Sequence, residues 1–199
     1  MRIEIIVFEG FDPLDVVAPW EVFVRAATLD PSLDVALVRT GGGNPVTGAY
    51  GMPIHVAEEL GSPDAVFVPG GGWVAAADTG VPHEIRAGEL PRAIARLSET
   101  ARWVASVCTG ALLLGEAGLL QGRNATTNPA ALGELSKYGA TVRQNRVVDD
   151  GAVVTAGAVT AGLDLALWLV QRELGGDTAR MVARAIAYPM PSDVWRCAD

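Results

Sequence analysis

The sequence is poor in the residues that hold metal ions and build disulfide frameworks, with only two cysteines, two histidines and no CxxC pair. Neither a zinc site nor a disulfide-stapled fold is therefore indicated, and we expect no metal ligands. Two unpaired cysteines, Cys108 and Cys197, are most simply accommodated in a reducing compartment such as the cytoplasm.

Basic residues are also scarce. The chain has 15 Lys and Arg against 23 Asp and Glu, a net charge of −8, and no Lys/Arg cluster. Because nucleic-acid binding needs a basic surface, we expect no nucleic-acid partner. No apolar run approaches the roughly 20 residues that cross a bilayer, and the opening MRIEIIVFEG lacks the features of a signal peptide. We therefore expect no membrane association.

Apolar residues and glycines, by contrast, are plentiful, at 50% and 23 residues of the chain. Apolar runs at 3–8, 34–40, 65–72 and 103–107 read as buried strands, and segments of helical period lie between them. This alternation predicts an α/β fold with a mostly parallel sheet covered by helices on both faces. With no linker or repeat, residues 1–199 are expected to form one domain. Helices are predicted over 16–28, 89–100, 111–120, 129–139, about 163–170 and 176–187, and a hairpin at Asp150-Gly151.

Cys108 stands in WVASVCTGAL (103–112), where a predicted buried strand meets a predicted helix. A tight turn there would lift the side chain above the carboxyl edge of the sheet, as in a nucleophile elbow. The free N–H groups of a helix beginning at about Thr109 would favour the thiolate. The alternative is that Cys108 is a small buried residue packed between strand and helix.

A glycine cluster, VPGGGW (68–73), ends another predicted strand, so its loop should open at the same edge of the sheet. The backbone N–H groups of Gly71 or Gly72, together with that of Thr109, could then form an oxyanion hole beside Cys108. The alternative is a flexible glycine turn without a role in binding.

Three segments carry a resemblance to a known family: VPGGG (68–72), ASVCTGALLLGEAGLLQGRNATTN (105–128) and VVTAGAVTAGLDLALWLV (153–170). In order and spacing they resemble the ThiJ/PfpI superfamily, which is glutamine amidotransferase-like. The most similar branch contains isonitrile hydratase and the amidase-like domains of AraC-type regulators. The likeness runs from residue 3 to about 188. It implies a flavodoxin-like three-layer sandwich, usually a homodimer, with a reactive cysteine at Cys108.

The resemblance also implies roles for two acidic residues in LDVVAPWE. Glu21 matches a glutamate that approaches the cysteine and tunes its thiol. Asp15 matches an aspartate of the isonitrile hydratase pattern that lies near the cysteine pocket. The alternatives are a helix N-cap or loop position for Asp15 and a solvated helix residue for Glu21.

On this resemblance, the expected activity is hydration of a small-molecule isonitrile to an N-substituted formamide, without metal or organic cofactor. Cys108 would add to the isonitrile carbon, Asp15 would protonate that carbon or handle the attacking water, and Thr109 would hold the intermediate. The alternatives are a non-catalytic ligand- or redox-sensing module, and glyoxalase- or deglycase-like activity on reactive carbonyls.

Two departures from the superfamily bear on function. Protease-like members carry histidine directly after the cysteine, where this chain has Thr109, so peptidase activity is not expected. Many branch members read ATTHW where this chain reads ATTNP, so Asn128 replaces a histidine. A different substrate preference is therefore expected if that histidine shapes the pocket. No helix-turn-helix pair follows, so a transcription factor of the AraC type is not expected.

Overall fold

The centre of the protein is an eight-stranded sheet, seen in a computed structural model that describes residues 1–73 and 78–197. The strands are β1 (Arg2–Val7), β2 (Asp34–Arg39), β3 (Val46–Thr47), β4 (Pro53–Ile54), β5 (Glu58–Glu59), β6 (Ala65–Val68), β7 (Trp103–Val107), β8 (Asn124–Ala125), β9 (Thr141–Val142), β10 (Val147–Asp150), β11 (Val153–Ala156) and β12 (Val194–Arg196). The helices are α1 (Pro13–Leu29), α2 (Val81–Ala87), α3 (Glu89–Ser98), α4 (Gly110–Glu116), α5 (Leu132–Leu135), α6 (Ala161–Leu174) and α7 (Gly176–Ala185).

The sheet order is β12-β10-β11-β7-β6-β1-β2-β5, and every neighbouring pair is parallel except β10 and β11. Helices α1, α6 and α7 pack against one another on one face, and α2 to α5 form the layer on the other. The central strands are buried along their whole length, as parallel strands covered on both faces must be. The predicted α/β sandwich is therefore confirmed.

Helix α1 begins earlier than predicted. The side chain of Asp12 caps it by accepting from the Leu14 N–H, and Pro13 occupies the first turn, where its missing N–H costs nothing. Asp15 consequently lies inside the first turn of the helix, so its placement in a loop or at the N-cap was wrong. Pro19 lies within the helix.

The prediction from the sequence was also wrong for two helical segments in the layer formed by α2 to α5. Helix α2 was not predicted, because only Val81 among its seven residues is buried and no apolar periodicity marks it. The predicted helix over 129–139 is instead a single α-helical turn, α5, flanked by short 3₁₀ turns, although it ends at Gly139 in the left-handed conformation as expected.

The tail forms a strand that the sequence did not predict. Strand β12 pairs with β10 in parallel, and the Cys197 N–H donates to the Asp149 carbonyl at 3.0 Å. The guanidinium of Arg143 lies 4.8 Å from the centre of the Trp195 ring. The tail thus packs on its own chain.

Strand register brings four loops together at one edge of the sheet. Val68 at the end of β6 lies opposite Ser106 in β7, and Ala156 at the end of β11 lies opposite Val107. Strand β1 ends beside β6. The residues that follow these strands therefore surround the residue that follows β7, which is Cys108. None of the helices in the described ranges is both long and apolar enough to span a membrane.

Candidate active site

Cys108 lies on a strained turn between β7 and α4. Its φ angle of 55° is in the left-handed region that non-glycine residues rarely adopt. Its N–H donates to the carbonyls of Ala156 and Gly157, at 3.1 and 2.8 Å, and its carbonyl accepts from Thr127 Oγ1 at 2.7 Å. These bonds hold the backbone in the strained conformation. The geometry is the expected elbow.

The Cys108 sulfur is held by a side-chain amide. Asn128 Nδ2 donates to Sγ at 3.2 Å, while Asn128 Oδ1 accepts from the Ala130 N–H at 3.0 Å. Because the Ala130 N–H can only donate, the Asn128 oxygen must face it, and the amide nitrogen must face the sulfur. The sulfur therefore has a fixed donor.

The thiol form of Cys108 is favoured by its surroundings. Burial, and then the nearby negative charge of Asp15 when ionised, raise the pKa of the Cys108 thiol, while the Asn128 amide and the backbone N–H groups of Val159 and Thr109 act in the opposite direction. The Thr109 N–H at the start of α4 thus favours the thiolate, as expected, but burial and the charge of Asp15 outweigh it, so the pKa of the thiol is raised overall. At neutral pH the resting sulfur carries its proton.

Asp15 is a buried carboxyl group beside this thiol. It has no exposed surface, its Oδ2 accepts from the Gly70 N–H at 2.9 Å, and its Oδ1 has no hydrogen-bond partner in the described part of the chain. Burial, and then the charge of Asp12, raise the pKa of Asp15 to about 8, against the opposing effects of the Gly70 N–H and Cys108. Asp15 is thus a carboxylic acid at neutral pH, able to release a proton.

Gly70 allows the groups to approach this closely. A Cβ atom at Gly70 would lie 2.6 Å from both the backbone nitrogen and the Oγ1 of Thr109, and 3.0 Å from Asp15 Oδ2. These distances are shorter than van der Waals contact, so any side chain at residue 70 would push the elbow and the acid apart.

Thr109 and the glycine loop are joined differently from the expectation. The Gly71 N–H donates to Thr109 Oγ1 at 3.1 Å, so this amide is engaged and cannot serve as an oxyanion donor, which corrects the expectation for Gly71. Because Thr109 Oγ1 already accepts this bond, its own O–H can donate to a ligand. Gly72 lines the cavity as expected.

A cavity of about 600 Å³ opens above the sulfur, large enough for a small organic molecule. Neither histidine is among its described lining residues. These are Glu9, Gly10, Asp12, Thr47, Gly48, Ala49, Tyr50, Gly71, Gly72, Trp73, Thr79, Cys108, Thr109, Asn128 and Val159. Across residues 1–73 and 78–197, no group of three His, Cys, Asp or Glu side chains could hold a metal ion.

Comparison with known proteins agrees with the fold. The sequence profile of the DJ-1/PfpI family matches residues 1–172. The chain belongs to this family. Among its DJ-1/PfpI relatives, an isonitrile hydratase from Pseudomonas putida is 37% identical over 195 residues, 96% of this chain and 80% of the hydratase.

Two further relatives have different architectures or unspecified activities. An HTH-type transcriptional regulator from Rhizobium meliloti is 31% identical over 173 residues, which are 80% of this chain and 49% of the regulator. A crystal structure of a ThiJ/PfpI family protein from Pseudomonas syringae superposes with a TM-score of 0.84, at 29% identity, over 96% of this chain and 76% of that one. The chain is thus similar to proteins with different names and lengths.

Glu21 does not occupy the place expected for it in this DJ-1/PfpI chain. It lies on the exposed side of α1, where its carboxylate pairs with Arg25 one helical turn later. Half of its side-chain surface is exposed, and it is not among the groups that shift the pKa of the Cys108 thiol, whereas Asp15 is. The acid beside Cys108 is Asp15, so the expectation that Glu21 tunes the thiol is corrected.

The hydrogen bond between Asn128 and the Cys108 sulfur was not predicted from the sequence. The departure from ATTHW pointed to this position, but not to a bond with the sulfur. Replacing Asn128 by alanine should raise the pKa of the Cys108 thiol further, because a donor that stabilises the thiolate is lost. The pH dependence of iodoacetamide alkylation, in a Cys197→Ser background, measures this shift.

The matched control for this prediction is Asn145→Ala, because the amide of Asn145 binds Asp193 instead of the sulfur. That variant should leave the alkylation midpoint at its original pH. An unchanged or lower midpoint in Asn128→Ala would contradict the assigned bond.

Proposed function

We propose that this DJ-1/PfpI protein hydrates a small isonitrile to an N-substituted formamide, with Cys108 as the nucleophile and Asp15 as the acid. The observation that carries the proposal is the buried carboxyl group of Asp15 beside the elbow thiol, where burial raises the pKa of this carboxyl group to about 8. The 37% identity to the Pseudomonas putida isonitrile hydratase supports the choice of substrate class.

The first step follows from the protonation states at the site. The terminal carbon of an isonitrile carries a lone pair, so it accepts a proton before or while it accepts a nucleophile. Asp15 donates its proton to this carbon, and the Cys108 sulfur bonds to it as the thiol proton passes to the Asp15 carboxylate. The product is a thioimidate, Cys–S–CH=N–R, and Asp15 is protonated again.

The second step adds water to the thioimidate carbon. Asp15 protonates the imine nitrogen, and its carboxylate then takes a proton from the attacking water. The Thr109 hydroxyl donates to the new oxygen. Collapse of the tetrahedral intermediate breaks the carbon–sulfur bond, the sulfur regains a proton from the hydroxyl group through Asp15, and R–NH–CHO leaves. The sum is one isonitrile and one water converted to one formamide.

The geometry gives less support to the other functions that were considered. Redox-sensor cysteines have a lowered pKa and open access, whereas burial raises the pKa of Cys108 and leaves the residue only 5% exposed. Glyoxalase- or deglycase-like activity on carbonyls would rely on a histidine next to the cysteine. Asn128 lies beside the sulfur instead, and an amide cannot accept and release a proton at neutral pH. Homodimer formation and a cytoplasmic location stay predictions.

The test is turnover of cyclohexyl isocyanide by the wild-type protein. We expect N-cyclohexylformamide to accumulate above the rate in buffer, and mass spectrometry of quenched reactions to find Cys108 carrying the mass of one substrate molecule. Absence of both product and adduct would overturn the proposal.

A further inference from the structure

The cavity above Cys108 carries negative charge that no cationic side chain of the described residues neutralises. Glu9 and Asp12 both line it, and neither forms an ion pair within the described ranges. By contrast, Arg2 pairs with three carboxylates elsewhere in the protein. The two cavity carboxylates are therefore the charges that an entering ligand meets.

Both carboxylates are fixed in place by the backbone. Glu9 Oε2 accepts from the Thr47 N–H at 3.1 Å, and Asp12 Oδ1 accepts from the Leu14 N–H at 3.1 Å. Each bond engages one oxygen of its carboxylate. Side chains anchored in this way keep their charge at the cavity instead of turning out into solvent.

The charge of Asp12 also acts on the reacting groups, because it helps raise the pKa of Asp15. No cationic side chain in the described lining opposes this field, since the lining contains no Lys, Arg or His. Residues 74–77, which follow the lining residue Trp73 in the chain, are Val-Ala-Ala-Ala and carry no charged side chain. The net charge of −8 gives the same sign to the protein as a whole.

We propose that Glu9 and Asp12 make this cavity select uncharged and cationic ligands against anionic ones. Where the ligand is an isonitrile, which rests on the function proposed above, the cavity accepts isonitriles that are neutral or carry an amine. It excludes isonitriles that carry a carboxylate. Two unit charges within about 10 Å of a ligand charge change its occupancy severalfold at moderate ionic strength. Reversing the ligand charge roughly squares that factor.

Labelling of Cys108 tests the selectivity without depending on hydration. Methyl, 2-aminoethyl and 2-sulfonatoethyl methanethiosulfonates react by the same step, in which the Cys108 thiolate displaces methanesulfinate and forms a mixed disulfide. In a Cys197→Ser background, only Cys108 can react. After normalisation to the rates with 2-mercaptoethanol, we expect the aminoethyl reagent to react at least about tenfold faster than the sulfonatoethyl reagent at low salt, and the ratio to fall as salt screens the field.

Two conservative variants assign the effect to its residues. Glu9→Gln and Asp12→Asn each remove a charge but keep an oxygen for the backbone N–H, and asparagine is as good an N-cap as aspartate. Each variant should lower the aminoethyl-to-sulfonatoethyl ratio, and the double variant should bring it within about twofold. Asp177→Asn is the control, because it removes an exposed carboxylate on α7, which contributes no residue to the cavity lining.

The outcomes separate the two proposals. Equal normalised rates for the two charged reagents in wild type, or a ratio that survives in the double variant, would overturn the selectivity. The second measurement is kcat/KM for three isonitriles of one scaffold, substituted with hydrogen, aminomethyl or carboxylate. We expect kcat/KM for the carboxylate to be lower than that for either of the other two by at least about tenfold. Selective labelling with no turnover of any isonitrile would instead overturn the hydratase proposal and leave the selectivity standing.

Discussion

Replacing Cys108 by alanine is expected to lower kcat/KM for isonitrile hydration by at least about 10⁴-fold, the scale on which removing a catalytic nucleophile acts. Without the sulfur, no thioimidate forms, and water must attack the isonitrile directly. Cys108→Ser should be impaired almost as severely, because a buried hydroxyl is far harder to ionise than a thiol and adds poorly to carbon. The measurement is formamide production from cyclohexyl isocyanide, together with the loss of the adduct at residue 108.

Two controls make the Cys108 result specific. Cys197→Ser removes the other thiol, which follows β12 and is not among the described residues that line the cavity, and should keep wild-type turnover. The thermal midpoint should show that Cys108→Ala stays folded. Full turnover in a folded Cys108→Ala protein would remove the nucleophile from the mechanism.

Asp15→Asn is expected to have two large and opposite effects. Turnover should fall by about 10²- to 10⁴-fold, the range for loss of a general acid, because asparagine cannot donate and recover a proton. Stability should rise, since the variant keeps an oxygen for the Gly70 N–H but no longer buries an ionisable group. In wild type, turnover should decline as the pH rises through about 8, where Asp15 loses its proton.

The gain in stability should depend on pH in a defined direction. The folded-state pKa of about 8 lies above the ordinary 3.8, so the unfolded chain releases this proton at a pH where the folded protein still holds it. Below pH about 4, burial of Asp15 therefore does not lower the stability of the wild type. As the pH rises from there towards 8, the wild type becomes progressively less stable. At about 1.4 kcal/mol for each pKa unit, the advantage of Asp15→Asn at pH 8 should reach several kcal/mol.

Thermal midpoints of wild type and Asp15→Asn at pH 4, 6, 8 and 9 measure this effect, with Glu21→Gln as the matched control on the same helix. Glu21 is exposed and paired with Arg25, so its variant should show wild-type turnover and no growing stability difference. A difference between wild type and Asp15→Asn that stays constant from pH 4 to 8 would contradict the buried acid.

The elements that the sequence predicted well are those in which burial alone decides the structure. The run WVASV matches β7 residue for residue, because a strand covered on both faces must be apolar throughout. The elbow at Cys108 was predicted because only Cys108 and Thr109 lie between the strand β7 and the helix α4. Helix α2 and strand β12 were missed because their residues are mostly half-buried or exposed, so neither carries an apolar pattern.

The identity of the acid beside the sulfur could not be read from spacing alone. Asp15 and Glu21 lie six residues apart, and the choice between them depends on where α1 begins. Asp12 and Pro13 start the helix early, so both acids belong to α1 and cannot share one face: Asp15 lies on the buried side of the first turn and Glu21 on the exposed side. The bond from Asn128 to Sγ depends on an amide orientation that a third residue, Ala130, fixes. A bond that depends on the spatial arrangement of three residues cannot be predicted from the pattern of the sequence.

The two outer strands of the sheet restrict how copies of this protein can associate. An edge strand offers unpaired N–H and C=O groups on which a neighbouring chain could polymerise. Here one edge is β5, two exposed glutamates, and the other is β12, three residues ending in Arg196. Strands this short and charged are poor templates for continuing a sheet across molecules. Any lasting self-assembly should therefore use helix or loop surfaces, and amyloid-like stacking through the native edges is disfavoured.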